Sequence, residues 1–307
     1  MTLVRANTRN RLCLLLATLL FVAPDISAAR GVRLRQLQRH ESVFSYVKRV
    51  NHGRFSQRLY QQVVGAAAVF KEGDRMVGVS ATNRISRRYA RRLLSNTKIK
   101  DIHEAPLYKD ALQQSAWDAV DAKAYTKVRA WTLGQLRTFL LSKPEAQIKS
   151  IMTGLNSDVI ASVVKLMSNK ELTRIGQTVF NNLPGTKIGA KGYCSARIQP
   201  NSPTDNPQDI QWQVFNAWSF GVGDLMLGNN PSASDAKTLR STESTLKGLV
   251  TSFKLEKVLP WSVLAHIDDQ AKLEKAKPKS TALWFQSIAG SESAGATFGI
   301  STAKMKR

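Results

Sequence analysis

The chain has 307 residues, 43% of them apolar and 7% aromatic, which is enough to bury one or two cores and unlike a disordered composition. Its 45 basic residues against 22 acidic ones give a net charge of +23, a balance that attracts anionic partners. It has two cysteines and four histidines, with no Cys-x-x-Cys, no His-Glu-x-x-His and no phosphate-cradling glycine loop. These absences argue against a disulfide framework, a zinc site and a nucleotide-binding P-loop.

The first 29 residues stand apart. Arg5, Arg9 and Arg11 precede an apolar run from Leu12 to Ala23, followed by the small residues Ser27, Ala28 and Ala29. That is the layout of a secretory signal, and the run is short for a membrane span. An organelle transit peptide fits less well, and an artefactual extension ahead of a later start is a third reading. Cys13 lies inside this run, so it and Cys194 read as unpaired thiols of a reducing compartment, against the export signal.

Residues 30–190 read as a helical region, the pattern running from about Glu41 to Phe180. Arg84, Arg87, Arg88, Arg91 and Arg92 form the basic face of an amphipathic helix whose other face carries Ile85, Tyr89 and Leu93. No aromatics interleave these arginines, so the run is read as a solvated face and no nucleic-acid partner is expected. Thr132 precedes Leu133, Leu136 and Leu140. Ser157 is placed as the cap of a helix carrying Ile160, Val163, Val164 and Met167. Lys143-Pro144 and the stretch from Asn181 to Gly185 are loop signals.

The pattern changes over residues 191–307. Strands are predicted at Tyr193 to Gln199, Asp224 to Asn229, Trp261 to Ile267 and Ala282 to Ile288. Helices fall between them. Asn206 caps the first, with Pro207 at its first position and Asp209 in its first turn; it carries Ile210, Val214 and Trp218. The second carries Leu239, Leu246, Val250 and Phe253, and the third is a short charged helix ending near Lys277. Alternating strand and helix at this spacing implies a parallel sheet, as a barrel or an open sheet. Four strands are too few to close a barrel of eight.

Polar side chains stand at each strand's C-terminal end. These are Arg197, Gln199 and Asn201; Asn229 and Asn230, followed by Pro231; His266, with Asp268 and Asp269 just after it; and Gln286 and Ser287. This is the face on which barrel enzymes build their sites, although strand ends also border solvent for ordinary reasons. Arg197, Gln199, Asn230 and Gln286 include no nucleophile and no general base. Such a set grips a small polar molecule and leaves hard chemistry to a cofactor. His266 reads more readily as a hydrogen-bonded packing residue, and Asp268 and Asp269 as a helix start, than as acid and base.

Several of these runs resemble the large subunit of adenosylcobalamin-dependent ethanolamine ammonia-lyase. They are residues 192–205 (Gly-Tyr-Cys-Ser-Ala-Arg-Ile-Gln-Pro-Asn-Ser-Pro-Thr-Asp), residues 218–224 (Trp-Ser-Phe-Gly-Val-Gly-Asp), Val263-Leu264-Ala265-His266 and residues 285–292 (Phe-Gln-Ser-Ile-Ala-Gly-Ser-Glu). Lys71-Glu72-Gly73-Asp74 and Leu155-Asn156-Ser157-Asp158-Val159-Ile160 match as well, and the similarity runs from about Ser42 to about Ile300.

The resemblance implies an α/β fold: a helical N-terminal region followed by the first four strands of a TIM-type (β/α) barrel, truncated. It implies a lyase that turns ethanolamine into acetaldehyde and ammonia by adenosylcobalamin radical chemistry, with a small subunit and a homo-oligomer of large subunits as partners. By motif, Arg197, Gln199 and Asn230 resemble the family's substrate contacts, and Pro231 and Gln286 its cobalamin contacts. The family's later strands supply a glutamate and an aspartate for the substrate ammonium. This chain ends at Arg307, before them, so an inactive form is expected to be as natural a reading as an active one. Cobalamin chemistry and unpaired thiols together favour the cytoplasm, with export through residues 1–29 as the alternative. Two further readings stay open: a non-catalytic remnant that binds cobalamin or subunits, and a basic exported protein that binds anionic surfaces.

Overall fold

The computed structural model describes residues 31–183, 186–193, 196–221 and 225–306. The signal-like segment 1–29, Cys194 and Asp224 lie outside the described residues.

The first part of the chain is helical: α1 (Val43–Val50), α2 (Gln57–Ala66), α3 (Glu72–Met76), α4 (Arg84–Ser95), α5 (Ile99–Glu104) and α6 (Ala111–Asp118). It continues with α7 (Ala122–Val128), α8 (Leu133–Ser142), α9 (Glu145–Met152), α10 (Ser157–Lys165) and α11 (Asn169–Gly176). Most of these helices start on a side chain that accepts a backbone N–H. Thr132 and Ser168 each form a reciprocal capping box, with Gln135 and Glu171. One core unites the region, built on Val47, Tyr60, Val63, Leu93, Leu94, Ile99, Leu133, Leu136 and Val159, all of them buried.

Two helix faces differ from the sequence reading. In α4 the buried residues are Ser86, Ala90, Leu93 and Leu94; Ile85 is exposed and Tyr89 only half-buried. The five arginines of α4 keep the solvated side over Ile85, because a guanidinium costs more to bury than an isoleucine costs to expose. In α10 the cap is Asn156, not Ser157: Asn156 Oδ1 accepts Val159 N at 2.9 Å. The inward face carries Val159 and Val163, and Ile160 and Val164 are exposed.

The second part alternates β1 (Ala196–Ile198), α12 (Pro207–Ser219), β2 (Leu225–Asn229), α13 (Ala236–Ser252), β3 (Trp261–Leu264), α14 (Ile267–Ala276) and β4 (Leu283–Phe285), and closes with α15 (Glu292–Ala296) and α16 (Thr302–Met305). The strands form one parallel sheet in the order β1-β2-β3-β4. They are shorter than the sequence reading, and β3 stops at Leu264 because His266 already caps α14. Among the described residues β4 has no strand on its outer side.

The register pairs Arg197 with Met226, Gly228 with Ser262, and Leu264 with Phe285. Because strand side chains alternate, these six share one face of the sheet. The opposite face carries Ile198, Leu227, Trp261 and Val263, which pack with Ile210 and Val214 of α12 and Leu239, Leu246 and Val250 of α13. Helices therefore cover one face and leave the other to the polar site. Phe253 ends α13 half-exposed, its ring 5.2 Å from that of Trp218. Among the described residues no helix is long and apolar enough to cross a membrane.

Candidate active site at the strand ends

Arg197 stands near the end of β1 and reaches across the sheet. Its guanidinium lies over the ring of Phe285 at 4.3 Å, two strands beyond its neighbour β2, and Nη2 donates to Asn230 Oδ1 at 3.2 Å. Between them is Gly228, where a Cβ would fall 1.9 Å from Arg197 Nε. A glycine inside a strand often marks a close approach, and here it makes the groove that the guanidinium fills. Burial lowers the Arg197 pKa from its ordinary value. Arginine remains protonated in proteins, so the group is a fixed set of donors.

The loops after β1 and β2 are tied together. Asn229 is fully buried and donates through Nδ2 to Pro200 O at 2.6 Å, while Asn201 Oδ1 accepts Asn230 N at 3.1 Å. Asp205, nearly buried and at φ 52°, accepts Ser232 N at 2.9 Å and Ala233 N at 3.0 Å. Asn230 is thereby placed through its own backbone N–H. Three buried polar atoms at these ends have no hydrogen-bond partner among the described residues: Arg197 Nε, Asn229 Oδ1 and Gln286 Oε1.

The residues singled out from sequence fall as follows. Arg197 and Asn230 are in direct contact, and Pro231 directly follows Asn230. Gln286 follows Phe285 and is half-buried, its Nε2 donating to Ser287 O at 3.2 Å. Gln199 is exposed, beyond the end of β1. His266 is not positioned for proton transfer. Its Nδ1 accepts Asp268 N at 3.2 Å and its Nε2 lies 2.8 Å from Phe298 O, so the neutral ring carries its proton on Nε2. Asp268 pairs with Lys304 at 2.8 Å and Asp269 with Lys272 at 3.2 Å, both in the first turn of α14.

Gly228 and Asp205 act in the site without having been singled out. A strand glycine was the signal for the first; for the second, a lone aspartate before Asn206-Pro207 gave none. Grooves of about 450 and 600 Å³ lie in the helical region, lined by residues such as Tyr108 and Trp117, and Trp131 and Arg137; neither is lined by a strand-end residue. Among the described residues no three His, Cys, Asp or Glu side chains gather as a metal site.

The arrangement offers a half-buried cation, carboxamides and an aromatic face, all without redox or nucleophilic chemistry of their own. The family profile described as "Ethanolamine ammonia lyase large subunit (EutB)" matches residues 55–307. The chain is 32% identical over 252 residues to the "Ethanolamine ammonia-lyase large subunit" of Escherichia coli (strain K12), covering 80% of this chain and 55% of that protein. It is 31% identical over the same length to the protein of that name from Salmonella typhimurium. The chain spans about half the length of these curated relatives. With most of its length matched by the family profile, this chain belongs to the ethanolamine ammonia-lyase large-subunit family.

Proposed function

We propose that the chain contributes the first four strands of a TIM-type (β/α) barrel to an adenosylcobalamin-dependent ethanolamine ammonia-lyase, forming the part of the site that holds the substrate's neutral polar groups. The observation that carries this is the Arg197–Asn230 pair, held over Gly228 and against Phe285 on the sheet face that the helices leave free. In this reading residues 30–190 form a helical region and 191–307 the barrel portion.

The residues suit a cobalamin. Gln286 Oε1 and Asn229 Oδ1 are buried acceptors without partners among the described residues, at the ends of β4 and β2, and Pro231 stands in the loop after β2. Pro231 and Gln286 would hold the cofactor. When bound, adenosylcobalamin supplies the radical that removes a substrate hydrogen.

Everything else assigned to this chain is positioning. Arg197 donates to the substrate hydroxyl oxygen through Nε–H, while its bond to Asn230 Oδ1 holds the fork in plane. Asn230 and Gln199 provide amide contacts to the hydroxyl and the migrating nitrogen. The backbone bonds from Asn201 and Asp205 fix these groups in advance, so that little ordering cost falls on binding. None of the groups is readily oxidised, which suits radical chemistry. A small subunit completes the assembly, large subunits associate with one another, and the cytoplasm is the compartment that suits both.

The test is to titrate adenosylcobalamin with the chain in the presence of a family small subunit, following the cobalamin absorbance, and then to add ethanolamine and measure acetaldehyde. Acetaldehyde from the parent and its loss in Arg197→Ala are expected of the enzyme. A spectral change without acetaldehyde would reduce the role to cofactor holding. An unchanged spectrum at saturating chain would remove the reading altogether.

A further inference from the structure

The sheet face that carries Arg197 also carries Met226, Gly228, Ser262, Leu264, Leu283 and Phe285, by register and strand alternation. Of these neighbours Ser262 alone has an oxygen in its side chain. A serine on a face that no helix covers is expected to be wet. Ser262 is instead 2% exposed, and its Oγ has no hydrogen-bond partner among the described residues. A hydroxyl buried without a partner is destabilising, and such groups are few in folded proteins.

The residue paired with Ser262 on β2 is Gly228, and the Arg197 guanidinium lies over it. Of the guanidinium atoms Nε lies deepest. It is 1.9 Å from where a Gly228 Cβ would stand, against 2.5 Å for Nη2 and 2.6 Å for Cζ. Nη2 donates to Asn230 Oδ1, whereas the buried Nε has no partner among the described residues. An unpaired donor therefore sits over Gly228, and an unpaired acceptor stands on the residue in register with it.

The other side chains of this face offer little to an N–H. The Met226 thioether is a weak acceptor, Leu264 and Leu283 are hydrocarbon, and the Phe285 ring meets the guanidinium carbon at 4.3 Å. We propose that Ser262 is a positioning residue of this site, its Oγ accepting the Arg197 Nε–H in the ligand-free protein. A serine turns about one bond and an arginine about several, so the pair closes without moving the strands. Asn230, Ser262 and Phe285 then hold the guanidinium from β2, β3 and β4. In the reading proposed above, the substrate hydroxyl takes this same Nε–H, so Ser262 is the group it displaces. The inference rests on that reading for the identity of the displacing group alone.

The experiment uses the ligand-free full chain with isotope-labelled arginine, the Arg197 Nε–H resonance being identified by its absence from R197K. Solvent exchange of that proton is compared in the parent, S262A and S262C, with folding checked by circular dichroism. Alanine removes the hydroxyl, whereas cysteine fills the space with a weak acceptor and decides the matter if S262A does not fold. Losing the acceptor of a charged donor should quicken exchange about tenfold or more in both variants. The denaturant midpoint of S262A should fall, because an arginine N–H is left buried and unpaired; removing a hydroxyl that had no partner would leave or raise it. Unchanged exchange in S262A, or a midpoint at or above the parent's, would overturn the proposal. So would parental exchange in S262C, which would assign the effect to filled volume. Both measurements are made without cofactor or substrate, so a chain that makes no acetaldehyde overturns the enzyme reading and not this contact.

Discussion

Arg197 Nε lies 1.9 Å from where a Cβ on Gly228 would be, so the guanidinium and any side chain at position 228 exclude each other. Gly228→Ala should therefore displace the guanidinium from Phe285 and from Asn230. The arginine is long enough to swing away, so the fold should survive with a loss of about 1 kcal/mol or less, below the usual range for overpacking. A shifted Arg Nε–H resonance with little change in the denaturant midpoint is the expected result. An unmoved resonance would show that the contact is dispensable.

Asp205 holds the start of the loop after β2 through two backbone N–H groups while itself sitting at positive φ. Asp205→Ala leaves both donors unsatisfied in a nearly buried position and should cost about 2 kcal/mol or more. Asp205→Asn keeps one acceptor and tolerates the backbone angle, so it should cost about half as much. Urea unfolding of the two variants checks the order.

Glu243 on α13 is buried, and Thr281 donates to its Oε1 at 2.6 Å. Burial raises its pKa, outweighing the lowering by the hydrogen bonds from Thr281 and Ser280. The folded value lies above the unfolded one, so the favourable term is full below the unfolded pKa, at about 4.3. It is lost as pH rises through the folded value. Glu243→Gln keeps the acceptor for Thr281 and removes the charge. It should be more stable than the parent at about pH 7, with the difference shrinking toward about pH 4. Thermal melts across that range decide it; a parallel offset at all pH values would contradict the assignment.

Asp110 joins regions distant in sequence: one carboxylate oxygen accepts Gln113 N at 2.7 Å at the start of α6, and the other accepts Glu292 N at 3.0 Å. These backbone bonds hold its pKa below the usual carboxylate range. Its contribution is present above the unfolded pKa and is lost as pH falls through the depressed value. Asp110→Asn keeps an acceptor for α6 but loses the second. Amide exchange in α15 and α16 should quicken in this variant, with α6 unchanged. Equal acceleration in both would mean that the cap, not the link, had been lost.

Much of the fold was legible because its signals are local. Asn206-Pro207 starts α12 as its chemistry requires, with Asn206 Oδ1 accepting Gln208 N at 2.9 Å and Asp209 N at 3.2 Å. Thr132 likewise starts α8. Where two neighbouring residues are both competent caps, as Asn156 and Ser157 are, residue type alone does not decide between them, and which apolar side chains turn inward depends on the helices packed against α10. Strand ends were overextended because polar residues suited to a strand also suit the turn after it. For the site, the polar residues at the strand ends were visible one at a time. Which of them meet depends on register across strands, and only the pairing of Gly228 with Ser262 and the reach of Arg197 bring β1, β2 and β4 together.

The sequential strand order also sets a schedule for folding during synthesis. Each strand pairs with the one made just before it, so the sheet can grow as the chain emerges, and the helical core needs nothing beyond its own residues. The Asp110–Glu292 bond instead spans 182 positions. Long-range closures form late because their loop entropy is met only once the rest is in place. Asp110 must therefore wait for Glu292, and the attachment of α15 is the step that ties the strand-bearing part of the described chain back to the helical one.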